Sequence, residues 1–125
     1  MIVSLYQSCE MATDGKNTFH FQQKVSLSLL NRTDINPRRN LLIDLKAFLT
    51  QSKQDNPNLT LIILGDWNKE SRDGNAFKIC QAFNLVDILK HQRPDKEFNT
   101  YSRGRRRIDF ALAPVEVVTN CKICY

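Results

Sequence analysis

Residues 61–68 read Leu-Ile-Ile-Leu-Gly-Asp-Trp-Asn. Four apolar residues, a glycine, and then two polar side chains two apart describe a buried strand. It delivers an acid and an amide to one point at its C-terminal end. Open α/β sheets collect their active sites at such ends. The strand is expected over 59–64. Its lack of polar alternation after Thr60 predicts cover on both faces. With 65–68 extended, Asp66 and Asn68 point to one side and Trp67 to the other. Gly65 leaves room there for another backbone or a ligand.

On the N-terminal side, Asn36 and Pro37 read as cap and first turn of a helix running to about Gln51. Leu41, Leu42, Leu45, Phe48 and Leu49 form its expected buried stripe. Before it, Thr18 can cap a helix through Leu30, with Phe19, Phe21, Val25, Leu29 and Leu30 near one face. Residues 2–6 read as a strand. On the C-terminal side, a loop from Asp66 to about Asp73 leads to short helices over 74–83 and 85–91. A polar loop over 92–99 follows, then a short strand at Thr100–Ser102 with Gly104 as its turn. Arg107–Ala113 reads as a strand ended by Pro114. Val115 to Tyr125 reads as a last strand, with Val115, Val117, Thr119, Cys121 and Ile123 on one face. The order β-α-α-β-α-β-β predicts a layered α/β domain, and both ends of the chain read as sheet.

A chain of 125 residues, 42% apolar and 25% charged, is one globular domain or part of one. Its net charge of +5 fits a polyanionic partner, and Arg103, Arg105, Arg106 and Arg107 crowd into one segment. No run is long enough for a membrane span, and the first residues lack the pattern of a signal peptide. The cysteines are Cys9, Cys80, Cys121 and Cys124. A chain with a normal core needs no disulfides, so an intracellular setting, nuclear or cytoplasmic, is expected. Cys121 and Cys124, three apart in a strand, would face opposite ways, which suits small core residues better than a metal or redox pair.

A carboxylate beside a carboxamide suits work on a phosphodiester: the acid orients or deprotonates a water, and the amide donates to the phosphoryl oxygens. Gly-Asp-x-Asn is also ordinary turn chemistry. Asp109 adds weight to the first reading. In Arg107-Ile-Asp-Phe-Ala-Leu-Ala113 it shares a face with Arg107, Ala111 and Ala113, and an acid in a strand among alanines is expected to have a specific partner. A structural ion pair with Arg107 or another arginine is the alternative. Glu70 and Asp73, close to Asp66 in the loop, read as solvated acids.

Gly65-Asp-Trp-Asn68, Thr100-Tyr-Ser102 and Arg107-Ile-Asp-Phe-Ala-Leu112 together resemble the endonuclease/exonuclease/phosphatase superfamily, the DNase I-like fold. Tyr6, ending the first strand, resembles the tyrosine of that family's motif in this region. The blocks occur in the family's order and at similar spacing. They span nearly the whole chain but only the second half or so of the family's domain. The resemblance implies a partial, incomplete DNase I-like β-sandwich flanked by helices over 1–125. It also implies Mg²⁺-assisted hydrolysis of a phosphate ester by an activated water. Asp66 would match the water-activating acid, Asn68 the amide that steadies water and phosphate, and Tyr6 the phosphate-contacting tyrosine. Asp109 would match the acid that orients a histidine. Thr100, Ser102, Arg103, Arg105, Arg106 and Arg107 would line the substrate groove, where arginines position nucleic acid without reading its sequence.

The family's metal-binding glutamate belongs to strands before Met1, and its catalytic histidine to a Ser-Asp-His motif after Tyr125. His20 and His91 match neither place. Tyr6 is followed by Gln-Ser-Cys where many nucleases of the family have Pro-Asn. The site is therefore expected to be incomplete in this chain. The basic balance favours nucleic acid, and the expected source is an endonuclease of the retrotransposon kind. The alternatives are a phosphatase acting on a small or lipid-linked phosphate, and a silent domain that binds nucleic acid. No stable protein partner is predicted.

Overall fold

The computed structural model describes residues 1–8, 19–33, 36–68, 75–100 and 107–120. They form a mixed α/β structure with one four-stranded mixed sheet and five helices among the described residues. The chain divides into two compact units, Gln7–Pro57 and the remainder, Met1–Tyr6 with Asn58–Tyr125.

The larger unit holds the sheet. Its strands are β1 (Ile2–Tyr6), β2 (Ile62–Asp66), β3 (Leu85–Asp87) and β4 (Asp109–Pro114), in spatial order β1-β2-β4-β3. β1 runs parallel to β2, and β4 runs antiparallel to both β2 and β3. The expected strand at 59–64 lies further along the chain, at 62–66, and takes in Gly65 and Asp66. Gly65 permits this. A side chain there would overlap the carbonyl oxygen of Leu5 on β1, so the space beside Gly65 belongs to another backbone.

The two faces of this sheet differ. Leu5, Ile63, Phe110 and Leu112 are buried on one face, and Leu61 and Trp67 at the ends of β2 are also buried. On the other face Ile2 is 68% exposed, Leu64 41% and Tyr6 51%, and Ser4 and Asp109 are open as well. The expectation that β2 is covered on both faces therefore fails. The apolar run marks the strand, but only alternate residues of it are buried.

Helices of this unit are α3 (Asn75–Phe83), α4 (Ile88–Gln92) and α5 (Val115–Asn120). Between α3 and α4 the chain forms β3, where a second helix over 85–91 was expected to begin. Asn84 (φ 51°) is left-handed and stops α3, the usual role of asparagine after a helix. The strand expected from Val115 is a helix over its described part, and residues 121–125 lie outside the described residues. Val118 is buried there, and the Thr119 hydroxyl and Asn120 amide donate to the carbonyls of Val115 and Glu116 one turn back. Gln92 of α4 donates to the Val118 carbonyl at 3.0 Å. Packing and these local bonds prevail over the β-propensity of the valines.

The smaller unit contains α1 (Phe19–Leu29) and α2 (Pro37–Asp55). Asn36 caps α2, its side chain accepting the Arg38 N–H at 2.9 Å with Pro37 in the first turn. Asn31 (φ 56°) ends α1, where the Arg32 N–H returns to the Leu27 carbonyl at 2.9 Å. Leu42, Leu45 and Leu49 are the buried stripe of α2. Phe48 is exposed because it sits about 120° around the helix from Leu42. In α1 only Leu27 is buried. Phe19, Phe21, Val25, Leu29 and Leu30 are exposed, and Phe19 and Phe21 lie about 200° apart on the helix, so one stripe cannot hold both. No described helix is long and apolar enough to cross a membrane.

Candidate active site

The strand register decides the geometry. Tyr6 on β1 stands opposite Asp66 on β2, and Asp66 stands opposite Asp109 on β4. Opposed residues share a face, so the tyrosine and two acids form one row across three strands on the open face. The next rung of the ladder fixes the spacing. Trp67 N–H donates to the Ile108 carbonyl at 2.8 Å, which makes Trp67–Ile108 the hydrogen-bonded pair. Asp66–Asp109 is then the non-hydrogen-bonded pair, in which Cα atoms approach to about 4.5 Å and side chains are closest.

Asp66 is half-buried, and its carboxyl is raised above its ordinary value of 3.8. Burial is the main cause, the Asn68 N–H opposes it, and the charge of Asp109 adds to it. No described basic side chain pairs with either acid. Asp109 is exposed at the start of β4, not enclosed among the alanines. The alternative, an ion pair between it and Arg107, is not formed, because Arg107 pairs with Asp87.

Asn68 departs from the expected extended path. The Asp66 Oδ1 accepts the Asn68 N–H at 2.9 Å, an Asx turn, and Asn68 takes a left-handed conformation with φ 48°. Its side chain therefore does not share a direction with Asp66 through strand alternation. Trp67 does go to the opposite face. It is fully buried and stacks on Phe110, ring centroids 5.1 Å apart and planes 7° from parallel.

Thr100 is placed against the same strand end. Its Oγ1 accepts the N–H groups of Ile108 and Asp109, at 3.0 and 3.1 Å, and so satisfies the edge of β4 before β3 begins to pair with it. Arg107 is taken up by Asp87 in an ion pair whose side chains are only 12% and 10% exposed. Burial lowers the guanidinium's affinity for its proton. Asp87 escapes sequence reading because it lies in a segment expected to be helical. Its signal was the Asp87-Ile-Leu-Lys90 start of α4, where Asp87 Oδ1 accepts the Lys90 N–H at 3.2 Å. Ser102, Arg103, Arg105 and Arg106 lie outside the described residues, as do Glu70, Asp73, Cys9, Cys121 and Cys124.

Neither histidine joins the row. His91 is exposed on α4, and His20 belongs to the smaller unit, its Nδ1 3.3 Å from the Ser8 hydroxyl there. Cys80 on α3 is a half-buried thiol whose pKa burial pushes up. Among the described residues no three His, Cys, Asp or Glu side chains converge as a metal site. Two neighbouring carboxylates remain, the donor type and number with which Mg²⁺ is commonly held alongside waters and a substrate phosphate. No family model matches this chain, and no curated protein or solved structure is significantly similar to it.

Proposed function

We propose that this chain carries part of a phosphodiesterase site of the DNase I-like kind, acting on nucleic acid. The observation that carries the reading is the cross-strand row Tyr6–Asp66–Asp109. Three residues named by short, separate sequence blocks meet on one face, at the C-terminal ends of β1 and β2. Asp66 is the water-activating acid: its raised carboxyl makes it a better proton acceptor than an isolated, solvated aspartate. Tyr6 directs its hydroxyl chemistry at a phosphate oxygen. Asp109 orients a catalytic group supplied from outside the described row. Mg²⁺, with its principal ligand supplied from outside this row, would supply charge stabilisation to the phosphoryl oxygens when bound. The net charge of +5 and the arginines Arg103, Arg105 and Arg106 favour a nucleic acid over a small ester.

A second reading is favoured by the histidines, neither of which stands in the row. On it, the chain binds nucleic acid without cutting it. Nicking of supercoiled plasmid with and without Mg²⁺ separates the two. The catalytic reading expects Mg²⁺-dependent nicking that falls by about 10²-fold or more in Asp66→Asn and Asp109→Asn. Equal nicking by the variants refutes the site. No nicking by the parent, together with oligonucleotide binding that weakens steeply with salt, shows that this chain by itself binds without cutting, as the second reading has it.

A further inference from the structure

The basic segment that precedes β4 ends in Arg107, and sequence alone groups Arg107 with the arginines that would touch phosphate. Its surroundings assign it other work. The guanidinium is paired with Asp87 at the end of β3, and its Cζ lies 5.7 Å from the Phe110 ring centroid. Phe110 stands opposite Gly65, the residue before Asp66, and its ring stacks on Trp67, the residue after it. Arg107, Phe110 and Trp67 thus form a continuous stack on the side of the sheet away from the acid row. Asp87 anchors one end of the stack, and the other end brackets Asp66 in sequence. With both side chains of the ion pair nearly buried, the guanidinium has little surface to offer a nucleic acid backbone.

We propose that Arg107, clamped by Asp87 and Phe110, is a positioning residue that fixes the start of β4 so that Asp109 stays opposite Asp66. The inference deepens the phosphodiesterase reading and rests on it for its functional meaning. The need for such a clamp is physical. Asp66 and Asp109 are like charges at the closest type of cross-strand pair, and they push apart the rung they occupy. Below them, Leu64–Ala111 and Gly65–Phe110 hold the ladder. Above them, one described bond, Trp67 N–H to Ile108 carbonyl, holds it closed. Arg107 is next in the chain after that bond, so a fixed guanidinium there resists fraying of the rung that carries the acids.

NMR reads this directly. Non-hydrogen-bonded antiparallel pairs bring Hα atoms together, so the parent gives Hα–Hα contacts for both Asp66–Asp109 and Leu64–Ala111. The expected result is loss of the Asp66–Asp109 contact in Arg107→Gln and in Asp87→Asn, with Leu64–Ala111 kept and the Asp66–Asp109 contact restored in Arg107→Lys. Asp87→Asn is informative because asparagine keeps the α4 cap while the charge goes. An unchanged Asp66–Asp109 contact in Arg107→Gln overturns the proposal. So does a fall of about one in the log–log salt slope of oligonucleotide binding by Arg107→Gln, the mark of a lost phosphate contact. The NMR contacts need neither nucleic acid nor activity, so they decide the positioning role even if the nicking assay disproves the phosphodiesterase reading.

Discussion

Asp66 and Asp87 hold the same local post in this sheet and live in opposite electrostatic settings. Each is the last residue of its strand, and each offers Oδ1 to a backbone N–H just downstream, Asn68 for one and Lys90 for the other. The difference lies in the charge beside them. Asp87 faces Arg107 and is neutralised; Asp66 faces Asp109 and is not. Turn or cap chemistry alone therefore says little about function. An acid that ends a strand becomes a candidate for chemistry when burial, and then a neighbouring acid in place of a base, push its carboxyl upward.

Removing one member at each place should expose the contrast. Arg107→Ala strands a nearly buried Asp87 carboxylate, and urea unfolding should show a loss of about 3 kcal/mol. Asp66→Ala strands no charge. It loses one turn hydrogen bond and relieves a repulsion, so its cost should stay below about 1 kcal/mol. Equal losses would mean that the two acids are not differently held. Gly65→Ala tests the row from the other side. Its methyl would collide with the main chain of Leu5, which cannot rotate away, at a cost of about 2 kcal/mol. Hydrogen exchange should then quicken in β1, which carries Tyr6, while β3 and its Asp87–Arg107 pair keep their protection. Uniform quickening across the sheet would show that β1 is not separately held.

The parts of this arrangement legible in the sequence are those that local rules specify. Asn36-Pro37 opens α2 as read, because cap and first-turn chemistry act within three residues. β1 spans the expected residues, β4 begins two residues after the expected Arg107 and takes in Pro114, and Trp67 goes to the face opposite Asp66 as expected. Most of the misreadings are long-range. β2 lies two or three residues beyond its expected place because Leu5, sixty residues away, accepts Gly65 as a strand neighbour. Asn68 is the local exception: it leaves the extended path because the Asp66 carboxylate two residues back accepts its N–H and closes a turn. Val115–Asn120 became a helix through Val118 burial and the bond from Gln92. Asp87 stayed hidden because its strand is three residues long and only its pairing with β4 makes it one. The row itself could not be read at all from spacing: Tyr6, Asp66 and Asp109 meet through register, which one sequence does not display.

The smallest effect bears most closely on the acid pair itself. Burial, and then the charge of Asp109, raise the Asp66 carboxyl, so the folded protein holds that proton to higher pH than the unfolded chain does. Asp66 therefore favours folding most at low pH, and that contribution is lost as pH rises from the unfolded value near 3.8 through the higher folded one. Asp109→Asn removes the repulsive part of this loss. At pH 7 the variant should be more stable than the parent by about 0.5 kcal/mol, and the gap should close once the solution is acidic enough to protonate both carboxyls. Melting temperatures across pH 3 to 7 measure it, about one decade of proton activity at a time. A parent more stable than the variant at neutral pH would show that the two acids do not repel and that a described or undescribed cation compensates them. Functional sites commonly carry such pairs at a cost in stability. The same Asp109→Asn that stabilises the fold should then abolish Mg²⁺-dependent nicking, and the coincidence of the two effects in one variant separates a catalytic pair from an accidental one.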